Sequence, residues 1–294
     1  MGGFQKELSL VTYNVYGGGD FKEERLEHIT NSILEGKKPD VICLQEATLE
    51  VIDSITSKLP NYYLWTKLDA MAENNINISE EDLKKTKKEG FLAIISKWNF
   101  KTKNLVFEGN WFDDGIMKTI LDSRNDLGYN LVVYNVHTIG GTYGKPQEKV
   151  LEKRKIRIKE LEILNESIRK EPNRNIVIMG DFNSDSNDSK LFPEIEYYPE
   201  NQIDNCYDIW SKLRPNDIGA TESHENNSFR AYLKPGQNRE ARFDKIIYLG
   251  DKISPTSIDF IGNKSIGNVT EKEGKIVNLF PSDHFGLISI MDNL

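Results

Sequence analysis

The sequence predicts an α/β (α+β) protein in which two mixed β-sheets pack face to face and carry helices on their outer faces. Three observations predict it. Short apolar runs such as Val41-Ile42-Cys43-Leu44, Leu131-Val132-Val133-Tyr134 and Ile176-Val177-Ile178-Met179 are bounded by turn residues and have the length of strands buried on both faces. Candidate strands outnumber the helices between them, which fits two sheets better than one doubly wound sheet. No Pro/Gly/Ser linker, repeat or low-complexity tract interrupts the chain, so residues 1–294 read as a single domain with enough apolar residues, 38%, to bury one large core.

Taken in order, Leu8 to Asn14 reads as a strand delivering Asn14 to a Gly17-Gly18-Gly19 loop. The helix expected from about Glu23 to Glu35 has Leu26, Ile29, Ile33 and Leu34 on one face. Val41 to Glu46 is a second buried strand, and an acid closing so apolar a run demands a partner. Thr48 to Lys58 follows as helix, stopped by Leu59-Pro60-Asn61. The stretch from Tyr62 to Glu89 has weak periodicity and reads as a variable insertion, its Lys84-Lys85-Thr86-Lys87-Lys88 cluster a solvated charge run. Strands return at Phe91–Ile95, Leu105–Phe107, Met117–Leu121 and Tyr129–His137. The longest helix, Gln147 to about Lys170, turns Leu151, Ile158, Leu161 and Ile168 inward. Pro172-Asn173 ends it and leads into Ile176 to Asp181. A looser region, including Pro215 to Asn238, precedes strands at Phe243–Tyr248, Ser257–Ile261 and Phe285–Ile290.

Charge and cysteine usage exclude several classes. A net charge of −8, from 38 basic and 46 acidic residues, argues against unspecific binding of long duplex DNA, which relies on counterion release by basic patches. No apolar run approaches the roughly 20 residues of a membrane span, and the first residues lack the apolar segment of a secretory signal. An intracellular location, cytoplasmic or nuclear, is therefore expected, and so is a monomer. Cys43 and Cys206 have no spacing for zinc and are expected to be unpaired.

Polar residues mostly at strand ends or directly abutting strands form a constellation: Asn14, Glu46, His137, Asp181, Asn183, Asp244, Asp283 and His284. Strand ends are where α/β folds place chemistry, and Asp181 and Asn183 alternate with Phe182 so that both can face one cleft. Hard oxygen donors such as Glu46 and Asp283 suit Mg²⁺ or Mn²⁺. With no Gly-x-Ser-x-Gly motif, attack by water is favoured over a covalent intermediate. Each residue also has an ordinary reading: Glu46 as a helix cap, Asn14 as a turn former, His137 as a core histidine, Asp244 as an ion-pair partner of Arg242 or Lys245. His28 and His224 fall in charged and polar surroundings and read as surface residues.

Thr12-Tyr13-Asn14, Leu44-Gln45-Glu46, His137, Gly180-Asp181-Phe182-Asn183, Arg242-Phe243-Asp244 and Ser282-Asp283-His284 resemble, in order and spacing, the motifs of the endonuclease/exonuclease/phosphatase superfamily. Within it the chain is most similar to 5′-tyrosyl-DNA phosphodiesterases, through Gly90 to Ile94, Ile116-Met117-Lys118, Arg157 with Glu160-Leu161, and Phe280 to Leu287. It departs from them at Tyr13, Glu160, Thr221-Glu222-Ser223 and Ser184-Asp185, and the last two touch the expected substrate surface. The resemblance implies a DNase-like four-layer sandwich and a metal-dependent phosphodiesterase. Glu46, Asp283 and Asn14 would hold Mg²⁺, and Asp181 would deprotonate water, with Asn183 fixing its geometry. His284, buttressed by Asp244, and His137 would donate to phosphoryl oxygens, while Asn14, Arg157 and Arg242 would face substrate. The implied substrate is a nucleic-acid 5′ end such as a phosphotyrosyl DNA adduct. Alternatives are a small-molecule phosphoester (inositol phosphate or phospholipid headgroup), a general nuclease of the same fold, and a binding module without catalysis.

Overall fold

A computed structural model describes residues 6–36, 38–76, 79–109, 114–141, 145–270 and 274–294. Its strands in chain order are β1 (Glu7–Asn14), β2 (Val41–Ala47), β3 (Tyr63–Thr66), β4 (Phe91–Ser96), β5 (Phe100–Phe107), β6 (Gly115–Leu121), β7 (Val132–His137), β8 (Ile176–Asp181), β9 (Cys206–Asp208), β10 (Glu222–Ser223), β11 (Glu240–Ala241), β12 (Asp244–Leu249), β13 (Ile253–Ile261), β14 (Gly267–Thr270), β15 (Ile276–Leu279) and β16 (Gly286–Asn293). Two six-stranded sheets dominate, ordered β13-β16-β1-β2-β4-β3 and β5-β6-β7-β8-β12-β9. Both are mixed: β1 runs parallel to β2 and β7 to β8, and the remaining pairs are antiparallel.

Strand alternation explains why the central runs are apolar throughout. On β8, Val177 and Met179 join Leu8, Leu10, Cys43, Val133 and Ile246 in the layer between the sheets. Ile176 and Ile178 face the other way, onto Leu161, Leu164 and Ile168 of the helix Gln147–Lys170. On β1, Val11 and Tyr13 likewise pack outward, against Ile29 and Ile33 of the helix Lys22–Leu34 and Ile52 and Ile55 of Leu49–Ser57. The result is helix, sheet, sheet, helix. Full burial of each such aliphatic side chain contributes about 1.5–3 kcal/mol, and a one-residue slip would turn every one of them to the wrong face, so register is tightly set.

Three expectations are corrected. Tyr62 to Glu89 is not a patternless insertion: β3 pairs with β4 as an edge strand, and the helices Lys67–Glu73 and Glu80–Glu89 follow. A capping box closes by Thr66 and Asp69 starts the first of these helices, a local signal that hydrophobic periodicity does not register. The side chains of Lys85, Thr86 and Lys87 lie outside the described residues. Leu151, expected inward, is 43% exposed, because the first turns of its helix overhang the sheet. The looser region carries short elements, the helices Ile209–Leu213 and Ser228–Leu233 and the ribbon β10–β11. Cys43 and Cys206 are both buried and unpaired. Among the described residues no helix is long and apolar enough to cross a membrane.

Candidate active site

The alternation that builds the core also aims the polar strand ends. The inward positions of β7 and β8 finish at His137 and Asp181, those of the antiparallel β12 begin at Asp244, and the pairing sets His137 opposite Asp181 and Asp181 opposite Asp244. These three side chains form one row across the second sheet, facing the first. All are buried. One step further in, Gln45 Nε2 donates across the gap to Asn135 Oδ1 (2.7 Å), whose Nδ2 donates to the Leu44 and Ala93 carbonyls, so hydrogen bonds tie the two sheets beneath the row.

From the first sheet come Asn14 and Glu46. Regular alternation would turn Glu46 outward toward the helices. Instead β2 breaks register against β4 between Leu44 and Ala47, and Glu46 takes a left-handed backbone (φ 53°) that brings it to the cleft. Gly90 makes this possible, since a Cβ there would sit 2.3 Å from the Glu46 carbonyl. Tyr16 (φ 53°) and Asn183 (φ 48°) line the same cleft with left-handed backbones. Such conformations cost non-glycine residues energy and cluster at functional sites. Asn14 Nδ2 donates to Glu46 Oε1 (2.9 Å) and to Asp181 Oδ2 (3.0 Å), while its Oδ1 accepts from the Tyr16 amide (3.1 Å).

The loop before β16 supplies Asp283 and His284. Ser282 Oγ donates to the Asn14 carbonyl (2.7 Å) and accepts from the His284 amide (3.2 Å), which fixes the loop on β1. Buried Arg25 braces it from behind, donating to the Pro281, Val15 and Tyr16 carbonyls. His284 Nδ1 lies 2.8 Å from Asp244 Oδ2, and His137 Nε2 lies 3.5 Å from Asp181 Oδ2. Asn183 donates its amide to Asp181 Oδ1 (2.8 Å) and its Nδ2 to the Thr138 carbonyl (2.9 Å).

These contacts sort the protons. Burial alone would lower the pKa of His284, but Asp244, with Asp181 and Asp283 behind it, raises it to about 10. Burial would raise Asp181, yet the His137 contact, the His284 charge and the Asn183 amide hold it well below the usual carboxylate range. Asp244 is pushed up by burial and by Asp181, against the pull of His284. We assign the shared proton to the imidazole, because several acids face that one ring. The site at neutral pH thus holds a dehydrated anionic acid beside a cationic histidine, a base and an anion donor within one cleft of about 410 Å³.

Glu46, His137, Asp181, Asn183, Asp283 and His284 all line that cleft, and Asp244 stands directly behind His284. Arg157 and Arg242 do not face it, which corrects the expectation for both. Arg157, fully buried, pairs with Glu194 (2.7 Å) and donates to the Ile139 carbonyl. Arg242 pairs with Asp208 and donates to Ser211 (3.0 Å) in a separate hollow. A cation on an amphipathic helix or beside a motif carries no sign of where its counter-acid lies. The sequence reading also missed Asp114, Tyr16, Glu222, Arg230 and Arg239, all on the cleft wall. Glu222 stood out only within the departure at Thr221-Glu222-Ser223, and the others lie in loops or on a short helix without periodic signal.

Among the described residues, Asp181, Asp244 and His284 offer ligand atoms close enough together to hold a metal ion. The hydrogen bond between His284 and Asp244 occupies part of that capacity. Glu46 is half-exposed at the lip, and a hard divalent cation needs few protein oxygens besides water and substrate, so the donor set fits one there. Asn14 presents its Nδ2 to both Glu46 and Asp181 and so bridges the two acids.

The model of the Endonuclease/Exonuclease/phosphatase family matches residues 11–284. No curated protein matches. Among solved structures, D. rerio TDP2 complexed with single strand DNA product is similar with a TM-score of 0.68 at 15% identity, over 97% of this chain and 98% of that one. TDP2 from C. elegans gives 0.69 at 19% identity, over 99% and 78%. A mannosyl-6-phosphatase from Bacteroides thetaiotaomicron gives 0.62 at 15% identity, over 97% and 99%. At these identities the likeness shows the fold.

Proposed function

The chain belongs to the endonuclease/exonuclease/phosphatase family of phosphoester hydrolases, and from that premise we propose that it is a Mg²⁺-dependent phosphodiesterase acting at a nucleic-acid 5′ end, such as a 5′-phosphotyrosyl DNA adduct. One observation carries this reading: buried Asp181 stands between Asn14 and His137, in register with Asp244 and its partner His284. An acid kept anionic by neighbours and still open to a cleft is suited to take a proton from water. Asn183, whose amide anchors Asp181, orients that water.

As the water oxygen bonds to phosphorus, its proton passes to Asp181 and the ester bond to the leaving oxygen breaks. A departing phenolate is a weak base and needs little protonation, which suits a tyrosyl ester. Cationic His284 donates to the non-bridging oxygens, where negative charge accumulates, and a ring N–H of His137 does the same. Glu46, with Asp283, would hold the cation, Mg²⁺ or Mn²⁺, which when bound neutralises phosphoryl charge.

The likeness in fold to a TDP2 complexed with single strand DNA product supports the nucleic-acid reading. A small-molecule phosphoester is the second reading, favoured by the polar, charged wall around Glu222. Hydrolysis of a 5′-tyrosyl oligonucleotide, an abasic duplex, poly(A) and an inositol phosphate, compared side by side with Mg²⁺, separates the two. The expected order puts the tyrosyl oligonucleotide first; inositol phosphate turned over fastest would reverse the choice.

A further inference from the structure

One wall of the cleft is set apart from the floor by its chemistry. The ribbon β10–β11 and the helix Ser228–Leu233 between its strands bring Glu222, Arg230 and Arg239 together, with Lys234 at the rim. Arg230 Nη2 reaches Glu222 Oε1 at 2.6 Å, and the Arg239 guanidinium contacts the same oxygen. Glu222 Oε2 faces His284 Nε2 at 3.8 Å. Arg230 also donates to Asp283 (3.1 Å), and Arg239 lies over the Phe243 ring, 5.0 Å from its centroid. Both arginine side chains are less than 10% exposed.

Glu222 is thus shared by two guanidiniums, one of them also held by Asp283, in a partly dehydrated setting on the cleft wall. Two guanidiniums that share one acid and line an open cleft are placed to take a further anion from it. A planar guanidinium, fixed by an acid on one side and a ring on its face, is well suited to hold a phosphate oxygen pair. Neither the tyrosyl group nor a neutral sugar would use it.

We infer that Arg230 and Arg239, held by Glu222 as a positioning residue, bind a second phosphoryl group of the substrate, next to the one that is hydrolysed. This rests on the phosphoester-hydrolase reading above and narrows it: the substrate class is a phosphoester carrying a neighbouring phosphate. That phosphate comes either from the next internucleotide linkage of a strand or from a phosphate monoester on a small molecule.

The test compares matched substrates with Mg²⁺. The first pair is the p-nitrophenyl ester of thymidine 5′-phosphate with a free 3′-hydroxyl and the same ester bearing a 3′-phosphate. The second is a 5′-tyrosyl oligonucleotide with a native first linkage and one with a neutral methylphosphonate there. Wild type should prefer the charged member of at least one pair by roughly 10- to 100-fold in kcat/KM, mainly through KM, and Arg239→Gln should reduce that preference to near unity. Preference in the first pair alone identifies a small-molecule monoester as the source; preference in the second identifies a strand. Turnover of both members of both pairs at equal kcat/KM would overturn the inference while leaving the hydrolase reading intact. No turnover of any of the four would instead overturn the nucleic-acid 5′-end reading. Calorimetric binding of thymidine 3′,5′-bisphosphate against thymidine 5′-monophosphate by wild type then decides the clamp without catalysis, equal affinities counting against it.

Discussion

Asp244 and Lys245 are neighbours in the chain, and because strand residues alternate they belong to two clusters on opposite faces of the same sheet. Lys245, with Arg242, meets Asp208 and Glu200, so two cations face two acids. Asp208 shows the balance: burial would raise its pKa, but Lys245 and Arg242 bring it down to about 2. Asp244 belongs instead to the floor of the cleft, where its partner is the cationic His284 and Asp181 and Glu46 face the open space beside it. One cluster closes on itself and stabilises the fold. The other leaves Asp181 and Glu46 on an open cleft, which is what a cation and a catalytic base require.

If that contrast is right, substitutions in the two clusters should separate activity from stability. Asp181→Asn is expected to lower kcat about 10³-fold or more, with the melting temperature little changed, since Asn keeps the shape and can still accept from the Asn183 amide. Glu46→Gln should weaken Mn²⁺ binding, read by water-proton relaxation, by roughly 10-fold or more and reduce turnover with it. Arg242→Met should do the converse: a loss of about 3 kcal/mol in denaturant unfolding, from stranding part of the Asp208 charge, with kcat/KM close to wild type. Were Arg242→Met inactive but stable, the clusters would not differ as described.

Two smaller effects concern pH. His284 is raised from 6.5 to about 10, so its contribution to stability is complete below pH 6.5 and is lost as pH rises through about 10. His284→Gln should flatten the stability profile across that window, and wild-type activity should fall on its alkaline limb near the upper end. Glu160, which accepts from the Ile139 amide, is raised to about 7 by burial, with Asp114 adding to it and the amide, Arg157 and His137 opposing. The folded state therefore holds that proton more tightly than the unfolded chain. Stability from it is complete below about pH 4.5 and declines as pH passes 7, so Glu160→Gln should be the more stable form at pH 8 and lose that advantage toward pH 4.5.

The floor of the cleft was legible in the sequence because a strand buried on both faces announces itself, and the polar residue that ends it has only one way to point. Asp181 and His137 follow from that rule, and Asp244 from its counterpart at the start of an antiparallel strand. Glu46 was found by the same rule although alternation would have sent it outward; the bulge and the left-handed backbone that correct its aim are not readable from Leu44-Gln45-Glu46. Arg157 and Arg242 were misread because their partners, Glu194 and Asp208, lie 37 and 34 residues away in the chain. The wall was invisible for a different reason: Arg230 and Arg239 belong to a six-residue helix and a loop whose placement depends on tertiary contacts such as the Asn227 Nδ2 bond to the Ser282 carbonyl (2.9 Å).

The central claim, that Asp181 removes the proton from an attacking water, is tested most directly by single-turnover hydrolysis of a 5′-tyrosyl oligonucleotide in ¹⁸O water with saturating Mg²⁺. Wild type should transfer one labelled oxygen to the phosphate product, and Asp181→Asn should do so about 10³-fold more slowly. Label missing from the phosphate, or a variant rate close to that of wild type, would contradict the account.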